Sequence, residues 1–334
     1  MTKRNLFITF ILVISFMIAS LALATARPAT QEQRTEAEAR RVAERNRAER
    51  ERQRQTTGAP VELIPSYVRA QIGPVPASLG VNPFYKKYVD AQGIPVISSE
   101  RVPDDALLVA RDIIIAMLSN RPDIRKAMIA RRWRTGVIGE TEMTADIPEY
   151  ANRKRPDAPA GEPVNQTDRD YHAWRSRGLG GNPTTGAEEN LLGYPGTRYY
   201  GEHIFVHEFS HAIMSNLRAI EPATGAAIQA AYDEAKAAGK YIIAANGRPH
   251  YAMTNAGEYW AEGVQWWFFS NYGECFKGNS KVEKVETPDE FKAYDPKLYE
   301  LISRVFDTHH IPMDVFHGKQ VRKVTCPATD TPKR

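Results

Sequence analysis

The stretch "HIFVHEFSHAIM", residues 203–214, brings three of the chain's eight histidines into nine positions. At its centre, in "HEFSH", His207 and His211 stand four apart. On a helix that spacing projects both imidazoles from one face, one turn from each other. There they can grip a single zinc ion at about 2.0–2.1 Å each. Glu208 follows the first histidine, which puts its carboxylate beside such an ion rather than on it. In that place it can take a proton from a water molecule that the metal has made far more acidic. The apolar residues on either side, Ile204 to Val206 and Ala212 to Met214, suit a buried helix. His203 lies one turn before His207 on the same face and reads as an ordinary core or surface histidine.

A catalytic zinc takes three protein ligands and leaves a fourth position open. A third histidine six residues past His211 would be one solution, but Leu217 stands there. The other solution is a glutamate on a second helix. "NAGEYWAEGVQWWF", residues 255–268, offers Glu258 and Glu262, four apart and so on one face of a segment crowded with aromatics. Carboxylates turned inward on an apolar helix need partners. One as metal ligand and the other as acceptor for a ligand imidazole satisfies both.

The longer run "YAMTNAGEYWAEGVQWWF", residues 251–268, resembles a segment of the anthrax lethal factor-like metallopeptidases, zinc enzymes of the glutamate-zincin type. In that family a tyrosine, a Thr-Asn pair and a Glu-aromatic-aromatic-Ala-Glu run occur in the same register. The resemblance implies that Glu258 is the third zinc ligand. It also implies that Tyr251 polarises the scissile carbonyl and holds the oxyanion, and that Glu262 supports the ligands. His250, beside Tyr251, is an alternative electrophile. The separation of 47 residues between His211 and Glu258 suits this group. The closing "YDPKLYELISRVF" is similar in character to the helix that ends such domains. The match covers residues 200–306, roughly a third of the chain, and none of the toxin's docking or receptor-binding regions, so toxin activity is not implied. What is implied is an α+β, mainly helical zincin-like domain with a small sheet. It would use one Zn2+ to hydrolyse peptide bonds in a protein or peptide substrate. Two other readings start from the same residues. One is a zinc hydrolase of a non-peptide amide, such as a cell-wall or glycan bond. The other is an envelope binding or scaffold protein whose zinc is not catalytic; a structural site needs a fourth protein ligand, and the sequence offers no good candidate.

The elements that must hold these residues follow from pattern and punctuation. Residues 104–119, "DDALLVARDIIIAMLS", have helical apolar spacing behind an aspartate cap, and Pro122 opens a second helix toward Trp133. "RTGVIGE", residues 134–140, reads as a short strand and a candidate edge along which an extended peptide could add a strand. Residues 151–198, rich in Gly, Pro, Asn and Arg, read as long irregular structure. Their last part, "RGLGGNPTTGAEENLLGYPGTRYY", should rim the cleft because it runs straight into the histidine-bearing helix. Residues 223–238 form an Ala-rich helix closed by Gly239, and residues 255–270 an aromatic one. Thr287-Pro288-Asp289-Glu290 has the spacing of a capping box, and Asp295-Pro296 opens a last helix through Phe306. His309, His310 and His317 have no ligand spacing to the motif. No internal repeat is present.

The N-terminus carries address information. Lys3 and Arg4 precede an apolar run, residues 5–26, that ends in Ala24-Thr25-Ala26. These are the parts of a secretory signal peptide cut after Ala26; left uncut, the run would anchor the chain in a membrane. Either outcome places the rest in a secreted, periplasmic or otherwise extracytoplasmic setting, with membrane contact through this segment alone. Residues 27–60 form a charged leader. Within it, residues 31–54 hold eight arginines and six glutamates with no apolar stripe, so they read as a solvated helix or a disordered spacer. No cysteine lies in the leader, which rules out a thiol latch on the zinc. The catalytic domain is placed at 61–334. A net charge of +4, much of it near the N-terminus, gives no case for a nucleic-acid partner. Cys275 and Cys326 could pair in an oxidising compartment or remain two thiols.

Overall fold

A computed structural model describes residues 70–153, 176–193, 199, 201–278, 281–311 and 324–327. The apolar run, the charged leader and His317 lie outside the described residues, and so do parts of the 151–198 segment. No helix among the described residues is long and apolar enough to cross a membrane.

The sheet starts in a segment with little strand signal. β1 (Gly73–Pro74) pairs antiparallel with β2 (Lys87–Ala91), which turns through Gln92 and Gly93 into β3 (Ile94–Ser98). Both turn residues have positive φ, 54° and 95°, the primed geometry whose twist matches that of the flanking strands. The sequence reading missed this hairpin, because Pro95 interrupts the strand pattern where it pairs with Asp90.

From β3 the chain crosses over through α1 (Asp104–Met117) and α2 (Pro122–Ala130) to β4 (Thr135–Ile138), which runs parallel to β3. Nearly all of α1 is buried, including Leu107, Ile113 and Ile114. Its N-cap is Pro103 rather than an aspartate; Asp104 and Asp105 sit in the first turn, where they favour the positive end of the helix dipole. β6 (Thr184–Ala187) adds parallel to β4, and β5 (Gly178–Leu179) closes the sheet antiparallel to β6. The order is β1-β2-β3-β4-β6-β5. "RTGVIGE" is therefore not an edge: its strand β4 is paired on both sides and every residue in it is buried. The edge beside the histidine-bearing helix is β5. Nor is all of 151–198 irregular, since it holds β5, β6 and the single turn α3 (Glu188–Leu191).

The remaining elements are helical apart from one hairpin. α4 (Ile204–Ile220) carries the histidines, and α5 (Pro222–Ala237) follows it, ending before Gly239, whose φ of 68° closes the helix. α6 (Ala256–Trp267) carries the glutamates. The hairpin β7 (Glu274–Lys277) and β8 (Val282–Val285) leads to α7 (Pro288–Tyr294), which has the expected Thr287/Glu290 capping box. α8 (Pro296–Ser303) stops short of Phe306. Cys275 on β7 forms a disulfide with Cys326, which fastens the C-terminal segment to this hairpin. The architecture is α+β, with a small mixed sheet and a larger helical part.

α4 and α6 pack closely, and polar groups brace them inside an aromatic core. Trp260, fully buried, donates from Nε1 to the Ser210 carbonyl across the gap at 3.1 Å. Behind it Tyr241, Trp266, Phe276 and Tyr294 pack ring on ring. Asp295 accepts from the hydroxyls of Tyr241 (2.9 Å) and Tyr259 (2.7 Å), so neither buried phenol lacks a partner.

Candidate metal centre

The site forms where β5, α4 and the start of α6 meet. Two glycines let the strand edge lie directly on the helix. A Cβ on Gly178 would stand 2.7 Å from Glu208 Cγ, and one on Gly180 would stand 2.5 Å from His211 Cβ. A third glycine, Gly186 on β6, leaves room for Phe205 in the same way. The strand and helix thus share a seam that any larger residue would wedge apart.

On the other side, Asn255 caps α6. Its Oδ1 accepts from the amides of Gly257 (2.8 Å) and Glu258 (3.0 Å). The cap fixes Glu258 in the first turn and turns its carboxylate toward α4. Glu258 Oε2 lies 2.9 Å from His207 Nε2 and 3.2 Å from His211 Nε2. Ligand atoms around a tetrahedral zinc with bonds of about 2.0–2.1 Å stand roughly 3.3 Å apart. The carboxylate oxygen therefore already stands at nearly that spacing from both imidazoles, and all three donors lie within 4.8 Å of one another. Among the described residues this is the one group of three His, Cys, Asp or Glu donors close enough to share an ion.

The electrostatics fit a cation. Burial opposes charge on His207, but the hydrogen bond to Glu258, together with the Glu208 and Glu262 carboxylates, outweighs it and lifts the imidazole to about 10. Glu258 responds in the opposite sense: desolvation raises it, yet the hydrogen bonds and charges of the two histidines hold it far below the usual carboxylate range. Without metal, protons meet the excess of negative charge; a divalent ion would replace them.

The other expected residues fall around this group in different roles. Glu208 is half-buried on α4 with its Cγ against Gly178. Tyr251 opens the 3-10 turn Tyr251–Met253 just before α6, with its ring centroid 6.2 Å from that of His207, and is 56% exposed. Burial, followed by the charge and hydrogen bond of Glu258, raises the phenol above its usual range and keeps it a proton donor. His250 does not share that setting. Its ring packs on Trp266 and Phe276, and its Nδ1 accepts from the Ala252 amide. His203 is buried at the N-terminus of α4, and His309 bridges the Tyr299 hydroxyl and the Trp267 carbonyl.

Glu262 is buried, but its Oε1 is 3.8 Å from His207 Nδ1, and its Oε2 accepts from Asn271 Nδ2 at 2.6 Å. The direct partner of Nδ1 is Gln265, at 2.9 Å, which the sequence reading passed over. A signal was there: 258, 262 and 265 fall at i, i+4 and i+7, one polar stripe on an otherwise aromatic helix. Glu202 was also missed. Its carboxyl is desolvated and faces Glu262, which together push it up to about 7 against the lowering effects of His207 and Gln265.

No known protein family matches the chain, and no curated protein or solved structure matches it either. The fold and the site by themselves define an α+β domain with a His/His/Glu group able to hold a metal ion.

Proposed function

We propose that the chain is an exported, zinc-dependent metallopeptidase with a zincin-like catalytic domain. One observation carries this reading: a carboxylate that lies 51 and 47 residues from the two histidines sits within 2.9 and 3.2 Å of their Nε2 atoms. His207, His211 and Glu258 would hold the ion. The donor set of two imidazoles and one carboxylate is that of a catalytic zinc site, and no fourth donor joins the group among the described residues. When bound, zinc would supply a Lewis acid for a carbonyl oxygen and lower the pKa of water nearby.

The chain's own residues do the rest. Glu208, held against the β5 seam, takes the proton of the attacking water and passes it to the leaving amine. Tyr251 donates its hydroxyl proton in a hydrogen bond to the carbonyl oxygen as negative charge builds there. An extended peptide would add to β5, the outer strand on this side of the sheet, with its scissile bond brought to Glu208.

Three variants test the proposal. Glu208→Gln should keep zinc while losing nearly all hydrolysis of a generic protein substrate, and Glu258→Ala should lose the metal as well. Tyr251→Phe should keep zinc and lower kcat by about 100-fold, the cost of one oxyanion donor. Full metal occupancy in Glu258→Ala would reject the ligand assignment.

A further inference from the structure

We infer that Gln265, rather than Glu262, is the residue that orients His207 toward the ion; the inference rests on the reading of His207, His211 and Glu258 as a metal site. Its basis is a chain of hydrogen bonds whose directions can be assigned one by one. Gln265 is fully buried in the last turns of α6. Its Nε2 lies 3.2 Å from the backbone carbonyl of His203, a group that can only accept. The amide nitrogen must therefore be on that side. With the nitrogen fixed there, Oε1 is the end that faces His207 Nδ1 at 2.9 Å. An amide oxygen only accepts, so Nδ1 carries the hydrogen and donates it. That leaves Nε2 as the nitrogen free to give its lone pair to an ion, on the side where Glu258 and His211 converge.

Glu262 does not meet these conditions. Its nearer oxygen is 3.8 Å from Nδ1, beyond hydrogen-bond reach, and its other oxygen is taken by Asn271. Its place is to hold the chain turn after α6. Gln265 is thus a positioning residue: it touches neither ion nor substrate, and it acts through the tautomer and ring angle of His207. A neutral amide in this position also leaves the imidazole less electron-rich than a carboxylate acceptor would.

The test compares Gln265→Met, which keeps volume and removes the acceptor, with Glu262→Gln, using zinc affinity from competition with a chromophoric chelator. Gln265→Met should weaken zinc binding 10–100-fold, the usual cost of losing such a partner, and Glu262→Gln by less than about threefold on the same scale. A second readout is the exchangeable Nδ1–H proton of His207 by NMR in zinc-loaded protein. It should persist, with its shift unchanged, in Glu262→Gln, and this measurement stands even if Gln265→Met does not fold. An equal or larger affinity loss in Glu262→Gln, a displaced Nδ1–H resonance in that variant, or wild-type affinity in Gln265→Met would each overturn the assignment. Wild-type protein that takes up no zinc would instead overturn the proposed function and this inference with it.

Discussion

Gly180→Ala is the most demanding single change for the site. A Cβ there would sit 2.5 Å from His211 Cβ, whereas ordinary contacts begin near 3.4 Å, so strand and helix must part by about 0.9 Å. The obstructing atom is the root of the imidazole, not the end of a flexible chain, and cannot swing aside. Overpacking of this kind costs about 1–3 kcal/mol. Metal-free protein can relieve the strain by letting α4 draw away from β5 and carry His211 with it. With zinc bound it cannot, because ligand distances tolerate only about 0.2 Å. Most of the strain should therefore appear as lost metal affinity, roughly 5–150-fold. Gly73→Ala, where nothing lies within 4 Å of the new methyl group, is the control. Chelator competition for zinc, with thermal unfolding in zinc and in chelator, reads both quantities. Gly180→Ala binding zinc within twofold of wild type would refute the idea that the β5 seam sets the ligand position.

Other expectations follow from the same geometry. Trp260→Phe removes the donor to the Ser210 carbonyl and leaves space in the brace between α4 and α6; it should cost about 1–3 kcal/mol by denaturant titration and weaken zinc binding. Cys326→Ser opens a loop of 51 residues and should lower stability by up to about 4 kcal/mol on the chain-entropy scale while leaving zinc affinity unchanged. Reduction of the wild type should reproduce that loss. The pH dependence has a definite sign. His207 is raised from 6.5 to about 10 in metal-free protein, so its contribution to stability is complete below pH 6.5 and is lost as pH climbs toward 10. Zinc must displace that proton. The rise in Tm on adding zinc should therefore grow between pH 6.5 and 8.5, and a flat or falling increment would contradict it.

The parts of the site that were legible are those whose spacing is set within one helix. His207, Glu208 and His211 needed only a helical period, and the stripe of Glu258 and Glu262 needed the same. What escaped depends on pairing between distant segments. β6 is a short strand of Thr, Gly and Ala with every residue buried, and β5 is only the pair Gly178–Leu179, so neither shows a readable alternation. Placing β4 at the edge failed for the same reason, since an edge is defined by what does not pair with it. Glu262 was favoured over Gln265 because a carboxylate is the more conspicuous acceptor. Only the distances, 3.8 Å against 2.9 Å, separate them.

Glu258 is held at the very beginning of its helix, through two amides and one asparagine side chain. Terminal turns open more readily than interiors. The third grip on an ion would thus be the loosest of the three, while both imidazoles stay in place on α4. Ion release would then require one short opening at Asn255 rather than unfolding of the aromatic core. Metal exchange should run on the fast clock of that end, well ahead of global unfolding.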